Sequence, residues 1–356
     1  MQIGVDSFVA TARDTGKNGA AGDFGRVHEL LEEIELADQV GLDVFGLGEH
    51  HRPDYVASAP VVLLAAAAAR TKRIRLTSAV TVLSSDDPVR VFQQFATLDL
   101  ISQGRAEIIV GRGSFIESYP LFGFDLEDYD TLFSEKLDLL LHIRDHTEVH
   151  WSGKHRAALT GQGVYPRPVQ NPLPIRIGVG GTPQSFVRAG NLGLPLIVAI
   201  IGGQPHRFRP LIDLYRESGL RAGHAPEQLT VGIHSIGFIA DTTERAVETF
   251  WPGYRQVVSK IGRERGWPPV TRAQFDAGCS PAGALLVGDP EIIAEKILSE
   301  NESLGGISRM TILLDNRDLS HREIMRAIEL LGTRVAPLIK KELSASSESK
   351  PAAARF

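Results

Sequence analysis

The most constraining feature of the sequence is an alternation, repeated from end to end, of short apolar runs and longer amphipathic stretches. The runs have the length and composition of buried strands, and the stretches have the apolar spacing of helices that pack on a sheet. Eight runs are predicted as strands, at residues 3–8, 44–48, 74–82, 106–111, 174–179, 196–201, 229–240 and 309–314. Eight parallel strands that alternate with helices close into a barrel. The sequence therefore predicts an α/β fold, a (β/α)8 TIM barrel with loop insertions.

Residues 1–340 are predicted to form one domain, because parallel barrels of this length are common as single domains. Two segments interrupt the alternation and are predicted as insertions. The first, at about 148–172, has the turn signals of a short hairpin, and the second, at about 266–287, is rich in Pro, Gly and Ala. The last residues, 341–356, follow the closing helix, are rich in Ser, Ala and charge, and are expected to form a disordered tail.

Composition excludes several classes of protein. The chain of 356 residues is 43% hydrophobic and 23% charged, with a net charge of -5, which fits a soluble globular protein and argues against a partner nucleic acid. A single cysteine, Cys279, excludes an intrachain disulfide and a cysteine-rich metal site. No apolar run is long enough to cross a bilayer, and the start lacks a targeting pattern. We therefore expect a cytoplasmic protein that does not contact membranes.

Polar residues stand at the end of the second predicted strand, where a barrel keeps its active site. The apolar run that begins at Val44 stops in Glu49-His50-His51-Arg52. Neighbouring residues of a strand point to opposite faces, so His50 and His51 are not expected to bind one metal ion. A histidine at this place suits proton transfer or hydrogen bonding to a ligand. The alternative is that one ring faces inward and the other only packs between barrel and helices.

Two further strand ends carry groups suited to an anion. The fourth strand ends in Arg112 between two glycines, and arginine binds phosphate through paired N–H groups, although a surface ion pair is an alternative. The fifth strand runs into residues 178–185, a Gly-rich turn and a helix start that can hold a phosphate, unless Thr182 simply caps the helix. Pro183 replaces the third glycine of a dinucleotide fingerprint. The residues alone predict a phosphate-bearing ligand or cofactor.

The motifs resemble those of the bacterial luciferase-like monooxygenases, a family of flavin-dependent enzymes built on a (β/α)8 barrel. The matching motifs occur in family order over roughly residues 1–335. They are Gly48-Glu49-His50-His51, residues 74–79 leading to Asp87-Pro88-Val89-Arg90, Gly104-Arg105, Gly111-Arg112-Gly113, Phe122-Gly123, residues 174–185, Gly193-Leu194-Pro195 and Gly288-Asp289-Pro290. Each motif is weak alone, but the ordered set is specific.

The resemblance implies a set of functional residues. The residues that it places around the FMN phosphate are Arg112, Gly180, Gly181, Thr182 and Ser185. It also implies that His50 is the catalytic residue beside the flavin ring, and that the Ala79–Val80 bond forms the bulge or non-prolyl cis peptide beneath that ring. The implied reaction is oxidation of a small organic substrate by reduced FMN and O2 through a C4a-hydroperoxyflavin. A separate flavin reductase would deliver the reduced FMN, and the apolar helices at 59–69 and 89–100 would form a homodimer.

Some features separate the chain from luciferase itself. Gly181 stands where luciferase has a carboxylate, and Gly111 where it has a reactive thiol, so light emission and aldehyde specificity are not expected. Relatives that use coenzyme F420 share the barrel, as do members that only hold a flavin, and both remain alternatives. The consecutive Glu49-His50-His51 favours FMN. A sugar- or phosphoester-processing barrel would need paired carboxylates or metal ligands at the strand ends, which the sequence lacks.

Overall fold

A closed parallel barrel forms the centre of the protein, seen in a computed structural model that describes residues 1–11, 20–316 and 318–348. The strands of the described residues are β1 (Gln2–Ser7), β2 (Val44–Leu47), β3 (Arg75–Ser78), β4 (Thr81–Val82), β5 (Ala106–Gly111), β6 (Glu148–Trp151), β7 (Leu159–Gly163), β8 (Ile175–Val179), β9 (Leu196–Ala199), β10 (Val231–Ile239), β11 (Leu286–Gly288) and β12 (Arg309–Leu313). The barrel order is β1-β2-β3-β5-β8-β9-β10-β12, and β12 pairs with β1. The predicted (β/α)8 barrel is confirmed.

Helices follow the barrel strands and cover the outside of the barrel. The α-helices of the described residues are α1 (Ala20–Gln39), α2 (Pro60–Arg70), α3 (Pro88–Ser102), α4 (Ser118–Phe122), α5 (Tyr129–Asp145), α6 (Pro183–Asn191), α7 (Arg209–Arg221), α8 (Thr243–Glu264), α9 (Arg272–Cys279), α10 (Pro290–Ser303), α11 (His321–Leu330) and α12 (Ala336–Glu348). Short 3-10 helices span Leu83–Ser85, Leu126–Asp128, Pro205–Phe208 and Pro226–Gln228. In the described ranges, no helix combines the length and hydropathy needed to cross a bilayer.

Local signals in the sequence set the helix starts. The side chain of Asp87 accepts hydrogen bonds from the backbone of Val89 and Arg90, at 2.8 and 3.3 Å, and so caps α3. Thr242 caps α8 by accepting from the backbone of Arg245 at 3.2 Å. The reciprocal glutamate bond of a capping box is absent there, because the residue at the third helical position is this arginine.

Two predicted boundaries differ from the structure. The predicted strand at 74–82 is divided into β3 and β4, with a cis peptide between Ala79 and Val80, and β4 pairs with β5. The predicted tail is wrong for residues 341–348, which belong to α12. Ile339 is buried and Leu343, one turn later, packs on the core, so this apolar face carries the helix onward. Residues 349–356 of the predicted tail lie outside the described residues.

Both predicted insertions contain regular structure. The first holds the antiparallel hairpin of β6 and β7, as the turn signals predicted. The second holds α9 and ends in β11, which pairs in parallel with the last three residues of β10. The second insertion therefore extends the sheet at the barrel mouth, by which we mean the end where the carboxyl ends of the barrel strands meet.

A buried ion-pair network closes the opposite end of the barrel. Glu107, near the start of β5, accepts from Arg309 of β12 at 3.0 Å and from Arg176 of β8 at 2.9 Å. Arg309 also donates to the side chain of Gln2 on β1, at 3.0 Å. Burial alone would raise the pKa of Glu107, but the two guanidinium groups lower it to about 2. The network joins four strands at the end of the barrel that carries stability rather than chemistry.

Candidate active site

His50 lies at the barrel mouth, three residues after the end of β2, and is 9% exposed. Its Nδ1 contacts the backbone oxygen of Glu49. A carbonyl oxygen only accepts, so Nδ1 carries the proton and Nε2 keeps its lone pair. Nε2 is buried and has no hydrogen-bond partner. Burial lowers the pKa of His50 to about 4, so the ring is neutral near pH 7 and offers an unoccupied acceptor.

Three aromatic rings surround His50. The ring centroids of Phe8, Tyr55 and Phe115 lie 4.4, 4.5 and 5.3 Å from that of His50, each in an edge-to-face arrangement. These rings keep water away from the imidazole, which is the physical cause of its lowered pKa. The side chain of His50 therefore lies in an apolar environment.

His51 has a different partner. Its Nε2 lies 2.9 Å from Oε1 of Glu49, whose other oxygen accepts from the backbone of Val82 at 2.9 Å. The two histidine rings thus have different hydrogen-bond partners. Across the described part of the chain, no group of three His, Cys, Asp or Glu side chains is arranged to bind a metal ion.

The cis peptide between Ala79 and Val80 has the geometry that the resemblance implied. Glycines pack closely against it from neighbouring strands. A Cβ atom added to Gly46 would lie 3.0 Å from Cβ of Ala79. Cβ atoms added to Gly111 and Gly178 would lie 2.6 and 2.7 Å from the methyl groups of Val80. Side chains at these glycines would displace the peptide, which is supported on that side and partly exposed at the mouth.

Arg112 and Ser185 meet at the start of α6, as their positions at two strand ends predicted. Nη2 of Arg112 donates to Oγ of Ser185 at 3.2 Å. Nη1 forms an ion pair with Asp130 at 2.5 Å, and the guanidinium lies 4.9 Å from the ring centre of Tyr129. The Asp130 side chain is 70% exposed, so this pair lies in a region of strong solvent screening. The expected surface ion pair and the expected contact with the turn are both present.

The turn that precedes α6 is open. Gly180, Gly181 and Thr182 are exposed, and a Cβ atom on either glycine would meet no atom within 4 Å. Thr182 is the N-cap residue, but its side chain makes no capping hydrogen bond. Capping by the Thr182 hydroxyl is therefore excluded. The turn leaves space beside Arg112 at a helix N-terminus, where the helix dipole favours an anion.

Three residues around Arg112 were not predicted from the sequence. They are Tyr129, Asp130 and Arg188. Arg188 lies one turn after Ser185 on the same face of α6, and its guanidinium lies 5.4 Å from the ring centre of Phe133. Burial and the charge of Arg112 lower the pKa of Arg188. Within the described residues Arg188 forms no ion pair, so the mouth carries a second cation, and this one has no carboxylate partner. The i, i+3 spacing from Ser185 was the available signal.

A second set of buried polar groups, also not predicted, lies near His50. Oδ2 of Asp6 on β1 is 2.6 Å from Nδ1 of His234 on β10 and accepts a hydrogen bond from Thr311 of β12. The other oxygen, Oδ1, is buried without a partner. The Asp6–His234 contact joins residues 228 positions apart, and no local pattern indicates such a pair.

The end of α8 is tied to the loops at the mouth, directly before the second insertion. The contacts are the ion pair of Glu264 with Arg52, the ion pair of Lys260 with Asp54, and a hydrogen bond from Arg265 to the backbone oxygen of Ser114. These loops follow β2 and β5, which supply His50 and Arg112. Helix α8 thus connects the two sides of the candidate site.

A family model described as luciferase-like monooxygenase matches residues 1–306. The chain belongs to this family. Like other luciferase-like monooxygenases it is an enzyme, and the family resemblance predicted from the sequence motifs is confirmed. The related monooxygenases include 4-hydroxyprotoasukamycin monooxygenase of Streptomyces nodosus subsp. asukaensis, which is 26% identical over 339 residues, 90% of this chain and 88% of that protein.

Solved structures similar to this luciferase-like monooxygenase carry different cofactors. The oxygenating constituent of 3,6-diketocamphane monooxygenase of Pseudomonas putida, in complex with FMN, matches with a TM-score of 0.77 at 19% identity, covering 95% of this chain and 98% of that one. An F420-dependent secondary alcohol dehydrogenase, in complex with an F420-acetone adduct, matches with a TM-score of 0.74 at 18% identity and the same coverage. At such identities the two structures share the fold with this chain, and the cofactor has to be argued from its own residues.

Proposed function

We propose that the protein is a flavin-dependent monooxygenase that uses reduced FMN and O2 to oxidise a small organic substrate. The observation that carries the proposal is the contact of Arg112 with Ser185 beside the open turn of Gly180, Gly181 and Thr182. A guanidinium group, two hydroxyls and a helix N-terminus together suit the phosphate dianion of FMN.

Polar atoms without partners support a ligand inside the mouth. Nε2 of His50, Oδ1 of Asp6 and the hydroxyl of Thr81 are buried without hydrogen-bond partners. Each such group costs about 1–3 kcal/mol, so their retention in one region indicates a ligand with several polar atoms. The Ala79–Val80 peptide, partly exposed among these groups, is proposed to support the ring.

Bound reduced FMN supplies the two electrons that activate O2, with one oxygen atom passing to the substrate and the other to water. The residues of the chain prepare that chemistry. His50 accepts a hydrogen bond at Nε2, because its ring is neutral and its Nδ1 is already committed to Glu49. Phe8, Tyr55 and Phe115 exclude water around it.

The rim of the mouth suits an apolar organic substrate. Ile116, Leu121 and Phe122 are 58, 63 and 51% exposed, and Phe122 packs edge-on against His51 with a centroid distance of 5.1 Å. Exposed apolar groups that cluster beside a site are typical of ligand entry. No dedicated nicotinamide site is proposed, and a separate flavin reductase is the proposed source of reduced FMN.

We propose that the protein forms a homodimer whose interface is the outer faces of α2 and α3. Val62 is 69% exposed, and Leu100 and Ile101 are each 45% exposed. A second copy of the chain would bury these side chains. Sedimentation of the purified protein, compared with Val62→Glu, tests this part of the proposal: a dimer that dissociates in the variant supports it, and a monomeric wild type contradicts it.

The second candidate is an F420-dependent oxidoreductase of the same fold. It is favoured by the likeness to the F420-dependent alcohol dehydrogenase, and F420 also carries a phosphate. The two candidates differ in which reduced cofactor binds and in whether oxygen is consumed.

The test is an anaerobic titration with reduced FMN and with reduced F420, followed by admission of O2. Arg112→Ala should weaken FMN binding by about 10- to 100-fold, the value of a charged hydrogen bond, and should leave riboflavin binding unchanged because riboflavin has no phosphate. Arg322→Ala, an exposed arginine on α11, is the matched control. Selective binding of F420 would support the second candidate, and binding of neither cofactor would contradict both.

A further inference from the structure

We propose that His234, held by Asp6, supplies the proton that is consumed when the electrons of the reduced flavin pass to O2. The inference rests on the proposed function of the same site and adds a second catalytic histidine to it. It starts from the properties of His50, which has Nδ1–H bonded to a carbonyl and a bare Nε2. A neutral ring in that state accepts a hydrogen bond but has no proton to give from Nε2.

His234 differs from His50 in its hydrogen-bond partner, which is a carboxylate and not a carbonyl. A carboxylate partner suits a histidine that donates a proton. A carboxylate only accepts, so the 2.6 Å contact with Oδ2 of Asp6 places a proton on Nδ1 of His234 and directs Nε2 away from Asp6. Thr311 donates to the same oxygen and fixes the carboxylate. When Nε2 also holds a proton, the positive charge of the ring is compensated by Asp6, an arrangement that the carbonyl partner of His50 lacks. No described residue forms a hydrogen bond with Nε2 of His234.

The ring of Phe8 lies between His234 and His50 and contacts both. Phe8 stacks on His234 with a centroid distance of 6.0 Å and an angle of 15°, while its edge contact with His50 has a centroid distance of 4.4 Å. A Cβ atom on Gly48 would lie 2.4 Å from Phe8 and 3.2 Å from the oxygen of Ala79. The Phe8 ring therefore borders the cis peptide on which the flavin ring is proposed to lie.

Asp6 borders the same space. A Cβ atom on Gly46 would lie 2.2 Å from Oδ1 of Asp6 and 3.0 Å from Cβ of Ala79. The unpartnered oxygen of Asp6 and the cis peptide thus both lie next to Gly46. The pair of Asp6 and His234 is part of the proposed flavin site and not a separate structural ion pair.

His51 is the competing candidate, because it also contacts a carboxylate, Glu49. Its ring, however, packs edge-on against Phe122 of the exposed rim, whereas the ring of His234 stacks on Phe8 beside the cis peptide. The structure favours His234, and a variant of His51 provides the direct comparison.

The proton balance is the same with and without a substrate. Anionic reduced FMN, O2 and one proton give oxidised FMN and hydrogen peroxide. With a substrate present, the same reactants give oxidised FMN, oxygenated substrate and water. Either reaction consumes one proton, which Nε2 of His234 gives to the reduced oxygen; the ring then recovers a proton from solvent. Because peroxide formation is sufficient, the test needs only FMN and O2.

The experiment compares the wild type with His234→Gln, Asp6→Asn, His51→Gln and the control His150→Gln, a histidine exposed on β6. FMN is reduced on each protein, O2 is admitted, and reoxidation is followed by stopped-flow absorbance. His234→Gln should slow reoxidation about 100-fold, the lower end of general acid catalysis, while its Kd for FMN stays within about threefold of wild type. Asp6→Asn should slow it about tenfold, because an amide does not compensate the positive charge of the doubly protonated ring. His150→Gln should behave as wild type, and His51→Gln should slow reoxidation much less than His234→Gln.

A second readout does not depend on turnover. Nitrogen NMR of the histidine rings in the flavin-free protein should find Nδ1–H on His234, lost in Asp6→Ala, which removes the acceptor, but kept in His150→Gln. Added imidazole should partly restore reoxidation in His234→Ala, which a purely structural role would not permit. Reoxidation at the wild-type rate in His234→Gln, reoxidation that is slower in His51→Gln than in His234→Gln, or a His234 ring without a proton on Nδ1 would overturn the inference. Failure of the wild type to bind FMN would instead overturn the proposed function.

Discussion

Two clusters of buried polar groups inside the barrel, one at each end, differ in whether their atoms have hydrogen-bond partners. At the closed end, both oxygens of Glu107 are bonded to arginines of neighbouring strands. At the mouth, Nε2 of His50 and Oδ1 of Asp6 are buried without partners. A satisfied network stabilises the fold, whereas each unsatisfied group costs about 1–3 kcal/mol. The difference separates the end that maintains the shape of the barrel from the end that is prepared for a ligand.

The largest expected effect comes from breaking the closed end. Glu107→Gln leaves the buried charge of Arg309 without its carboxylate and should lower the free energy of unfolding by about 3 kcal/mol or more. Denaturant unfolding measures this loss. The matched control is Glu248→Gln, which removes a surface ion pair with Arg272 and should change stability by less than about 1 kcal/mol. Equal effects of the two variants would contradict the comparison.

The same glutamate predicts an acid dependence. The pKa of Glu107 is lowered from 4.5 to about 2 in the folded protein, so its contribution to stability is fully present above the unfolded value. That contribution should be lost as the pH falls from about 4.5 through about 2. Unfolding of the wild type and of Glu107→Gln, measured across this range, should converge towards low pH. Parallel curves would show that the network does not lower this pKa.

At the mouth, overpacking should affect both stability and binding. Gly111→Ala places a Cβ atom 2.6 Å from a methyl group of Val80, which must move towards the space proposed for the flavin. We expect a loss of about 2 kcal/mol in stability and about tenfold weaker FMN binding, measured by unfolding and by titration. Gly202→Ala adds the same atom where none lies within 4 Å and should change neither quantity. Unchanged FMN affinity in Gly111→Ala would place the flavin away from this peptide.

A smaller effect, a gain in stability, is expected when a buried polar group without a hydrogen-bond partner is removed from the mouth. Thr81→Val removes a buried hydroxyl that has no partner and should stabilise the flavin-free protein by about 1 kcal/mol. Thr311→Val removes a hydroxyl that donates to Asp6 and should destabilise it by a similar amount. Thermal unfolding without flavin distinguishes the two. Destabilisation by both variants would mean that the hydroxyl of Thr81 has a hydrogen-bond partner, as the oxygens of Glu107 do at the closed end.

The smallest expected effect concerns charge. Arg309 at the closed end is paired, whereas Arg188 near the mouth has no ion pair among the described residues. Arg188→Ala should weaken FMN binding about threefold and leave riboflavin binding unchanged, since a cation without direct contact adds only a screened attraction. A loss as large as that in Arg112→Ala would place Arg188 in direct contact with the phosphate.

The sequence was sufficient for the barrel because each strand is a local apolar run. It also predicted the meeting of Arg112 and Ser185, since both follow strands whose carboxyl ends must share one face of a parallel barrel. Local chemistry indicated a proton-transfer or hydrogen-bonding role for a histidine at this strand end, but the choice of His50 and the role of the Ala79–Val80 bond came from family resemblance. The continuation of α12 was missed because Leu343 lies among small and charged residues that indicate a tail.

The Asp6–His234 pair could not be predicted for a different reason. Asp6 lies inside an apolar strand, where its carboxylate has no local partner, and its partner is on a strand that begins more than two hundred residues later. Which inward-facing residues of two strands meet depends on the stagger of the closed barrel. A single sequence does not determine that stagger.

The pairing of β1 with β12 has a consequence for synthesis. Gln2 and Arg309, at the start of these strands, are 307 positions apart, so one edge of the first strand stays open while nearly the whole chain leaves the ribosome. Until β12 emerges, the growing protein is an open sheet with two exposed edges, a form that invites aggregation and slow closure. Truncations before residue 309 should therefore yield insoluble protein and not a smaller folded unit. In the cell, the last barrel strand to be made decides whether the first is paired on both of its edges.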